Sequence, residues 1–281
     1  MEPVKEQQRA SWDIAAQAWR GWWPVIQRGT DQVTREMCER AGLGPGFSVL
    51  DVATGVGEPA LSAARAVGMT GRVVATDISP AMLAVAVERA VEAGVHNVDF
   101  RVSDAEVLDL PSGAFDAALC RFGLMFCPDV SSALGGIQDA LVPGGAFAAA
   151  TWGPPDRAPL ITLPMEIISQ RLQLSSVPVE GPGIFSLCEQ DALVALLSSS
   201  GFVEVRIGTA MVAPTFVCAE QYVEYMREVA APLTQLLAAE PIAAQQRIWE
   251  AVADAVRPYS RPDGSVTLSA EALVVSGRRA R

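Results

Sequence analysis

Two closely spaced glycines follow an apolar run in the segment from Val49 to Gly57 (VLDVATGVG). Glycines directly after a buried strand let a ligand lie against bare backbone, beside the N-terminus of the next helix. Gly55, Gly57 and Ala60 also satisfy the G-x-G-x-x-G/A spacing of dinucleotide-binding loops. The segment therefore predicts a nucleoside-binding loop, and on its own it admits more than one nucleoside cofactor.

Two aspartates near this loop bear on the choice of ligand. Asp51 lies four residues before Gly55, where its carboxylate would be a poor neighbour for a pyrophosphate but a favourable one for a cation. Asp77 follows the next apolar run, twenty residues after Gly57, and a carboxylate at that place can accept both hydroxyls of a ribose. S-adenosylmethionine has a cationic sulfonium and no phosphate, so the two acids favour it over NAD.

Parallel strands would bring these residues to one edge of a sheet. Apolar runs alternate with helical stretches along the chain, which predicts right-handed βαβ units in a doubly wound α/β sheet. The predicted strands lie at 47–52, 72–76, 98–102, 115–120, 146–151, 202–211 and 266–279. Ligands of such sheets bind at the carboxyl ends of the strands. Two further strand ends therefore belong to the predicted site, Ser103-Asp104-Ala105 and Arg121-Phe122-Gly123.

The composition argues against several classes of function. The chain has 281 residues, 50% of them hydrophobic, and a formal net charge of −11. Because an acidic surface repels phosphate backbones, we expect no nucleic-acid partner. We also expect no membrane span, since no stretch reaches the roughly 20 apolar residues that a spanning helix needs.

The cysteines and the first residues indicate a compartment. Five cysteines, an odd number, include no C-x-x-C pair. This pattern argues against a disulfide framework and against a zinc site, so we expect no bound metal and a reducing, cytoplasmic location. Residues 1–6 (MEPVKE) lack the apolar core of a signal peptide, which agrees with that location.

A tryptophan-rich stretch precedes the first predicted strand. Residues 7–28 are predicted to form one helix and residues 30–42 a second one. The first contains four tryptophans, more than one amphipathic face needs, which favours a lid: Trp12, Trp19, Trp22 and Trp23. The predicted division of the chain is an N-terminal helical lid at 1–45 and a core at 46–281, with cap insertions at about 153–185 and 212–260.

Five segments resemble consecutive motifs of class I S-adenosylmethionine-dependent methyltransferases. They are VLDVATGVGEPAL, ATDISPAML, VSDAEVLDLPSGAFD, CRFGLMFCPD and ALVPGGAFAAATWG. The resemblance covers about residues 10–152 in order and spacing, and it is greatest to the ubiquinone/menaquinone-biosynthesis-like branch. It implies a Rossmann-like, doubly wound, seven-stranded and mostly parallel sheet, with the last strand antiparallel and with helical cap insertions.

The same resemblance implies which residues bind the methyl donor. They are Asp51, Ala53, Thr54, Gly55, Gly57, Asp77, Ile78, Met82, Asp104, Ala105, Arg121 and Trp19. The glycine-rich loop would line the methionine part, with Arg121 on that side, and Asp77 would hold the ribose. Ile78 and Met82 would pack on the adenine, whose amino edge would contact the segment at 104–105. Trp19 stands where phenylalanine or tyrosine is usual, and its indole N–H could replace a tyrosine hydroxyl.

The implied activity is transfer of a methyl group from S-adenosylmethionine, which leaves S-adenosylhomocysteine. Two alternatives stay open, an NAD-dependent oxidoreductase and a donor-binding protein of this fold that transfers no methyl group. Methyl displacement needs alignment and desolvation more than an acid or a base. His96, the sole histidine, is predicted at the wrong end of the sheet for catalysis. If a base is needed, the candidates are Glu166, Glu180, Tyr222 and Tyr225.

The two insertions predict the acceptor. Their apolar residues favour a small, hydrophobic and natural-product-like molecule, and they would line its pocket: Leu160, Ile161, Leu163, Met165, Ile184, Phe185, Phe216, Tyr222, Tyr225 and Met226. The helical stretch at 219–256 has the acidic and apolar character of either a cap or the face of a homo-oligomer.

Overall fold

A computed structural model describes residues 3–174 and 182–281. The strands are β1 (Ser48–Val52), β2 (Arg72–Asp77), β3 (Val98–Val102), β4 (Phe115–Arg121), β5 (Leu141–Trp152), β6 (Phe202–Val212), β7 (Thr215–Phe216), β8 (Val266–Thr267) and β9 (Ala270–Arg279). The helices are α1 (Pro3–Arg40), α2 (Ala60–Val67), α3 (Pro80–Glu92), α4 (Val130–Ala140), α5 (Pro159–Leu172), α6 (Gln190–Ser199), α7 (Ala219–Val229), α8 (Ala231–Leu237) and α9 (Ile242–Val256).

Seven strands form one sheet in the order β3-β2-β1-β4-β5-β9-β6. Neighbours from β3 to β5 are parallel, whereas β9 is antiparallel to both β5 and β6. The predicted Rossmann-like, doubly wound and mostly parallel sheet with an antiparallel last strand is therefore confirmed. Strand order reverses between β1 and β4, and ligands of such sheets bind in the crevice outside the carboxyl ends of strands at this point.

The two central strands are apolar on both faces because helices cover the sheet from both sides. Val49 of β1 and Ala117 of β4 are buried in one cluster with side chains of α1 and α2. Leu50 and Ala118, the next residues along the same strands, are buried in a second cluster with side chains of α4 and α6. Packing on both faces fixes the positions of the strand ends that form the crevice.

A single helix, α1, replaces the two N-terminal helices that the sequence predicts at 7–28 and 30–42. Gly29, between the two predicted helices, lies against Pro214, and a Cβ atom at Gly29 would be 2.9 Å from the Pro214 nitrogen. This glycine therefore permits a close approach and does not end a helix. The helix continues through Thr30, whose hydroxyl donates to the Ile26 carbonyl at 2.9 Å.

The described parts of the cap insertions pack tightly. The hydroxyl of Tyr222 on α7 donates to the backbone carbonyl of Leu160 on α5 at 2.8 Å, which joins the two insertions. Phe216 makes an edge-to-face contact with Tyr222, at 5.3 Å between ring centroids. None of the ten apolar residues predicted to line an acceptor pocket lines the cavity at the strand ends. Most of them are buried in one cluster with the sheet.

Candidate functional site

A cavity lies at the carboxyl ends of β1 to β4, beneath the first half of α1, and we call it the strand-end cavity. Ten of the twelve residues predicted to bind the donor line it: Ala53, Thr54, Gly55, Asp77, Ile78, Met82, Asp104, Ala105, Arg121 and Trp19. These residues come from four strand ends, from the first turn of α3 and from α1. The structure thus brings together side chains that are more than 100 residues apart in the sequence.

The other two predicted residues, Asp51 and Gly57, lie beneath the lining. The Asp51 side chain is 0% exposed, and its Oδ2 accepts the backbone N–H of Ala60 at 2.8 Å. Gly57 has φ +100°, and a Cβ atom there would lie 3.1 Å from the Ala86 Cβ. Gly57 therefore serves the close packing of α2 on α3, and Asp51 supports the loop from inside.

Two carboxylates occupy the N-terminus of α2. In addition to the bond between Asp51 and Ala60, the Oε2 atom of Glu58 accepts the backbone N–H of Ser62 at 3.2 Å. A dinucleotide would place its pyrophosphate against such N–H groups. Here two internal acids take these donors and add negative charge, which disfavours a phosphate and favours a cation.

Asp77 connects the loop after β1 with the start of α3. Its Oδ2 accepts the backbone N–H of Gly55 at 2.7 Å, and its Oδ1 accepts that of Ser79 at 2.9 Å. Each carboxylate oxygen has capacity for a further donor. Asp77 is thus held rigidly at the cavity wall, and it can still accept hydroxyl groups from a ligand.

Burial changes the acidity of both aspartates. Desolvation raises the pKa of Asp51 to about 7, and the backbone N–H of Ala60 and the charge of Arg121 oppose the rise. Desolvation likewise raises the pKa of Asp77 to about 6, against hydrogen bonds from Ser79 and Gly55. A cation in the cavity would favour the ionised forms of both acids.

The end of β4 requires glycine and left-handed backbone. A Cβ atom at Gly123 would lie 2.5 Å from the Ala53 Cβ, so no other residue fits without a shift of the backbone. Ala53 and Phe122, which precedes Gly123, have φ angles of +56° and +58°. The ring of Phe122 stacks on Trp152, with centroids 4.2 Å apart and 13° between the planes. Such strained residues concentrate at ligand sites.

The first half of α1, residues 3–23, covers the strand-end cavity, and we call it the lid segment. Lys5 is 8% exposed, and its Nζ lies 2.8 Å from Asp104 Oδ2 and 2.6 Å from Glu106 Oε2. Burial alone would lower the pKa of the Lys5 ammonium, but its bonds to the two acids raise the pKa above the ordinary value. The ion pairs fasten the first turn of α1 to the loop after β3.

Aromatic rings of the lid segment close the cavity. Trp12 makes edge-to-face contacts with Trp19 at 5.9 Å and with Phe126 at 5.5 Å between ring centroids. Further along α1, Nη1 of Arg121 donates to the hydroxyls of Thr30 and Thr34, at 3.0 and 2.8 Å. The helix therefore contacts both ends of the cavity.

Three buried side-chain atoms lack a hydrogen-bond partner within the described part of the chain: Trp19 Nε1, Asp51 Oδ1 and Thr54 Oγ1. An unpaired buried polar atom is costly. The Thr54 hydroxyl and the Asp51 carboxylate are neighbours, since a bond from Thr54 opposes the rise in the pKa of Asp51. Trp19 lines the strand-end cavity, so a ligand with an acceptor group there would satisfy its indole N–H. The residues therefore fit a polar nucleoside with a cationic side chain, as the sequence predicts.

Sequence reasoning missed several lining residues, above all Lys5, Gln8, Glu58 and Glu106. A signal for Lys5 was present, since Lys5, Trp12 and Trp19 recur every seven residues and so share one helix face. Glu58 and Glu106 lie within the segments VLDVATGVGEPAL and VSDAEVLDLPSGAFD, but the resemblance assigns no role to either residue. His96 is exposed in the turn before β3, far from the cavity, as predicted.

Residues 3–174 and 182–281 bear on a membrane span and on a metal site. No helix there is both long and apolar enough to cross a membrane. The same residues contain no group of three or more histidine, cysteine, aspartate or glutamate side chains arranged to hold a metal ion.

Comparisons with known proteins agree with this geometry. Residues 49–145 match the methyltransferase domain family. The chain is 31% identical over 180 residues to the ubiquinone/menaquinone biosynthesis C-methyltransferase of Teredinibacter turnerae, which covers 60% of this chain and 72% of that protein. It is 39% identical over 112 residues to the enzyme of the same name from Hydrogenovibrio crunogenus, covering 40% and 44% of the two chains. The chain thus spans less than half the length of some of these relatives.

A solved structure shows the same fold. The crystal structure of a Bacillus halodurans protein assigned as a methyltransferase superposes with a TM-score of 0.57 at 19% identity, over 88% of this chain and 99% of that one. The domain match, the relative of which this chain covers 72% and the shared sheet topology lead to one family. The chain belongs to the class I S-adenosylmethionine-dependent methyltransferases, in the ubiquinone/menaquinone-biosynthesis-like branch.

Proposed function

We propose that this chain transfers a methyl group from S-adenosylmethionine to a small apolar acceptor and releases S-adenosylhomocysteine. The observation that carries the proposal is the occupation of the α2 N-terminus by the carboxylates of Asp51 and Glu58. The negative charge at this position repels a pyrophosphate and attracts a sulfonium or an ammonium group. It supports a cationic nucleoside donor over NAD.

The residues that would hold the donor follow from the cavity wall. Asp77 would accept the ribose hydroxyls, and Ile78 and Met82 would pack against the adenine. The amino edge of the adenine would contact the segment at 104–105. The unpaired Nε1 of Trp19 would donate to the carboxylate of the methionine part. The polar residues of the cavity wall would thus bind the ribose and the amino acid, and its apolar residues would bind the adenine.

The donor, when bound, supplies an electrophilic methyl group on a sulfonium. The chain's own residues align the reactants and exclude water, which are the main requirements of a displacement at carbon. We propose the lid segment for the second task, since Trp12 and Trp19 close the cavity from above. The ion pairs of Lys5 would hold the lid segment shut during the reaction.

We assign no general base to the protein. The Tyr222 hydroxyl is used in its bond to the Leu160 carbonyl, and Glu166 is exposed on α5. Burial raises the pKa of Tyr225 to about 12, which disfavours its phenolate at neutral pH. Glu180, the fourth candidate, lies outside the described residues. We therefore propose a transfer driven by proximity, to a nucleophile that needs no base from the chain.

The acceptor that we propose is apolar and resembles a quinol. The relatives in Teredinibacter and Hydrogenovibrio are C-methyltransferases of ubiquinone and menaquinone biosynthesis, which supports ring carbon as the nucleophile. An electron-rich ring carbon also fits a cavity without a free base. In the described structure the cap residues are packed against each other, so this acceptor would have to displace part of that packing to enter.

Calorimetry with three ligands tests the donor. S-adenosylmethionine and S-adenosylhomocysteine are expected to bind to the wild-type chain in the micromolar range, and NADH is expected not to bind. Binding of NADH that is tighter than that of S-adenosylmethionine would contradict the proposal.

Incubation with donor labelled in the methyl group and a panel of quinols, phenols and polar amines then tests the acceptor. Labelling of polar amines alone would exclude the apolar acceptor, and donor binding without any labelled product would favour a non-methylating protein.

A further inference from the structure

Four carboxylates line the strand-end cavity, and three of them are already engaged. Asp104 and Glu106 form ion pairs with Lys5, at 2.8 and 2.6 Å. Both oxygens of Asp77 accept backbone N–H groups. Glu58 is the remaining acid, and only one of its two oxygens accepts a hydrogen bond from the residues that the structure describes.

Glu58 is a buried acid with an unused oxygen atom. Its residue is 4% exposed, and Oε2 accepts the backbone N–H of Ser62. Oε1 accepts no hydrogen bond from a described residue, and the guanidinium nitrogens of Arg65 and Arg89 are 3.9 and 4.0 Å away from it. These separations exceed the range of a hydrogen bond. Oε1 thus lies at ion-pair distance from two arginines but accepts no hydrogen bond from a described residue. Because Glu58 lines the strand-end cavity, an ammonium group in the cavity can donate to this oxygen.

Glu58 shares its end of the cavity with Arg121. The backbone N–H of Glu58 donates to the carbonyl of Thr54 at 3.1 Å, which ties Glu58 to the glycine-rich loop. Both side chains line the same cavity, and the negative charge of Glu58 opposes the fall in the pKa of Arg121 that burial causes. Arg121 lines the cavity and bonds to Thr30 and Thr34 through Nη1 alone. One anion and one cation thus line the wall of the same cavity.

A ligand with an ammonium and a carboxylate group on one carbon complements such a pair. Asp51 cannot take the ammonium, because it is 0% exposed and lies beneath the loop. On the basis of the proposed function, we propose that Glu58 binds the α-ammonium group of the donor, beside Arg121 for the α-carboxylate. Glu58 then gives the cavity its preference for nucleosides that carry an intact α-amino acid group. It is a binding residue and takes no part in the chemical step.

Two nucleosides that differ in this end provide the test. S-adenosylhomocysteine carries the α-amino acid, and 5′-methylthioadenosine has the same nucleoside and a thioether but no amino acid. Titration calorimetry of both ligands compares the wild-type chain with E58Q, which keeps the shape of the side chain and removes its charge. We expect E58Q to lose about 10- to 100-fold in affinity for S-adenosylhomocysteine, and less than about twofold for 5′-methylthioadenosine.

E106Q is the matched control. It makes the same chemical change in an acid of the same cavity that is paired with Lys5. We expect it to leave the ratio of the two affinities unchanged. If E58Q loses the same factor of affinity for both ligands, Glu58 merely supports α2 and the proposal fails. A wild-type chain that binds the two ligands equally would also overturn it, whereas a wild-type chain that binds neither would overturn the proposed function itself.

A second measurement covers the case in which E58Q does not fold. The analogue of S-adenosylhomocysteine that lacks only the α-amino group is titrated into the wild-type chain. We expect it to bind about 10- to 100-fold more weakly than S-adenosylhomocysteine, because Glu58 is left without a partner. Equal affinity of the analogue and the parent compound would overturn the proposal without any variant.

Discussion

The hydroxyl of Ser79 donates a 2.6 Å hydrogen bond to the carboxylate of Asp13, which joins the lid segment to the cavity wall. Ser79 is also the N-cap residue of α3, because its hydroxyl accepts the backbone N–H of Met82 at 3.1 Å. Its own backbone N–H donates to Asp77. One serine therefore links Asp13 on the lid segment to the acid that we assign to the ribose.

Replacement of Asp13 by alanine is expected to weaken binding of S-adenosylhomocysteine by about tenfold. The change removes a charge-assisted hydrogen bond that positions Ser79, worth about 1.5 kcal/mol. Titration calorimetry measures the effect. D31A is the control, since Asp31 lies on the same helix and pairs with Arg35 in an exposed position. Affinity within twofold of wild type in D13A would show that the lid segment does not support the donor site.

Replacement of Asp77 by alanine is expected to weaken the binding of S-adenosylhomocysteine by about 10- to 100-fold. The ribose hydroxyls lose their acceptor, and the backbone N–H of Gly55 loses its hydrogen-bond partner. The affinity for 5′-methylthioadenosine should fall by a similar factor, since that ligand has the same ribose. This parallel loss distinguishes Asp77 from Glu58, for which the two ligands should respond differently. Unchanged affinity for both ligands in D77A would refute the ribose assignment.

The sequence predicted Asp77 because a strand and a glycine-rich loop fix the place of the acid through a spacing that other nucleoside sites share. It failed to predict Glu58 and Lys5, since their roles depend on contacts between distant elements. Lys5 meets Asp104, 99 residues further along the chain, and no local pattern indicates that distance. Glu58 is notable only because the fold places it at the cavity wall and leaves one of its oxygens without a hydrogen bond from a described residue.

The fold was predictable to a greater extent than the details of its packing. Alternating apolar runs define the parallel strands because each strand is buried on both faces. The continuity of α1 was not predictable in the same way, because Gly29 lies against Pro214, 185 residues away in the sequence. The cap residues were expected to form an open pocket, yet apolar side chains without a ligand pack on each other.

The stability of the chain without ligand is expected to decline as the pH rises from about 4 to about 7. An unfolded aspartate titrates near 3.8, whereas burial raises the pKa of Asp51 to about 7 in the folded chain. Between these values the folded state retains a proton that the unfolded state has released, so rising pH favours unfolding. Denaturant titrations at several pH values measure the slope, and D51N should flatten it. Parallel profiles for wild type and D51N would show that Asp51 does not titrate in this range.

Replacement of Ala53 by glycine is expected to stabilise the chain by about 0.5–1 kcal/mol. Ala53 has φ +56°, a conformation that costs an alanine about 1–2 kcal/mol and costs a glycine nothing. The conformational entropy that a glycine loses on folding opposes this gain but is smaller. A64G in α2 is the control, and it should destabilise by about 1 kcal/mol because helical backbone disfavours glycine. Thermal unfolding compares both variants. Equal destabilisation by A53G and A64G would contradict strain at Ala53.

Replacement of Lys5 by methionine is expected to speed release of S-adenosylhomocysteine by about tenfold. Lys5 is buried between Asp104 and Glu106, and its loss leaves two adjacent acids without a counter-charge, so the first turn of α1 should separate from the cavity. Stopped-flow displacement, followed by tryptophan fluorescence from the lid segment, measures the release rate. K5R retains the charge and should release the ligand at nearly the wild-type rate, while R35M, at an exposed ion pair further along the helix, should change nothing. If K5M and R35M release the ligand equally fast, the ion pairs of Lys5 fasten the helix without controlling access to the cavity.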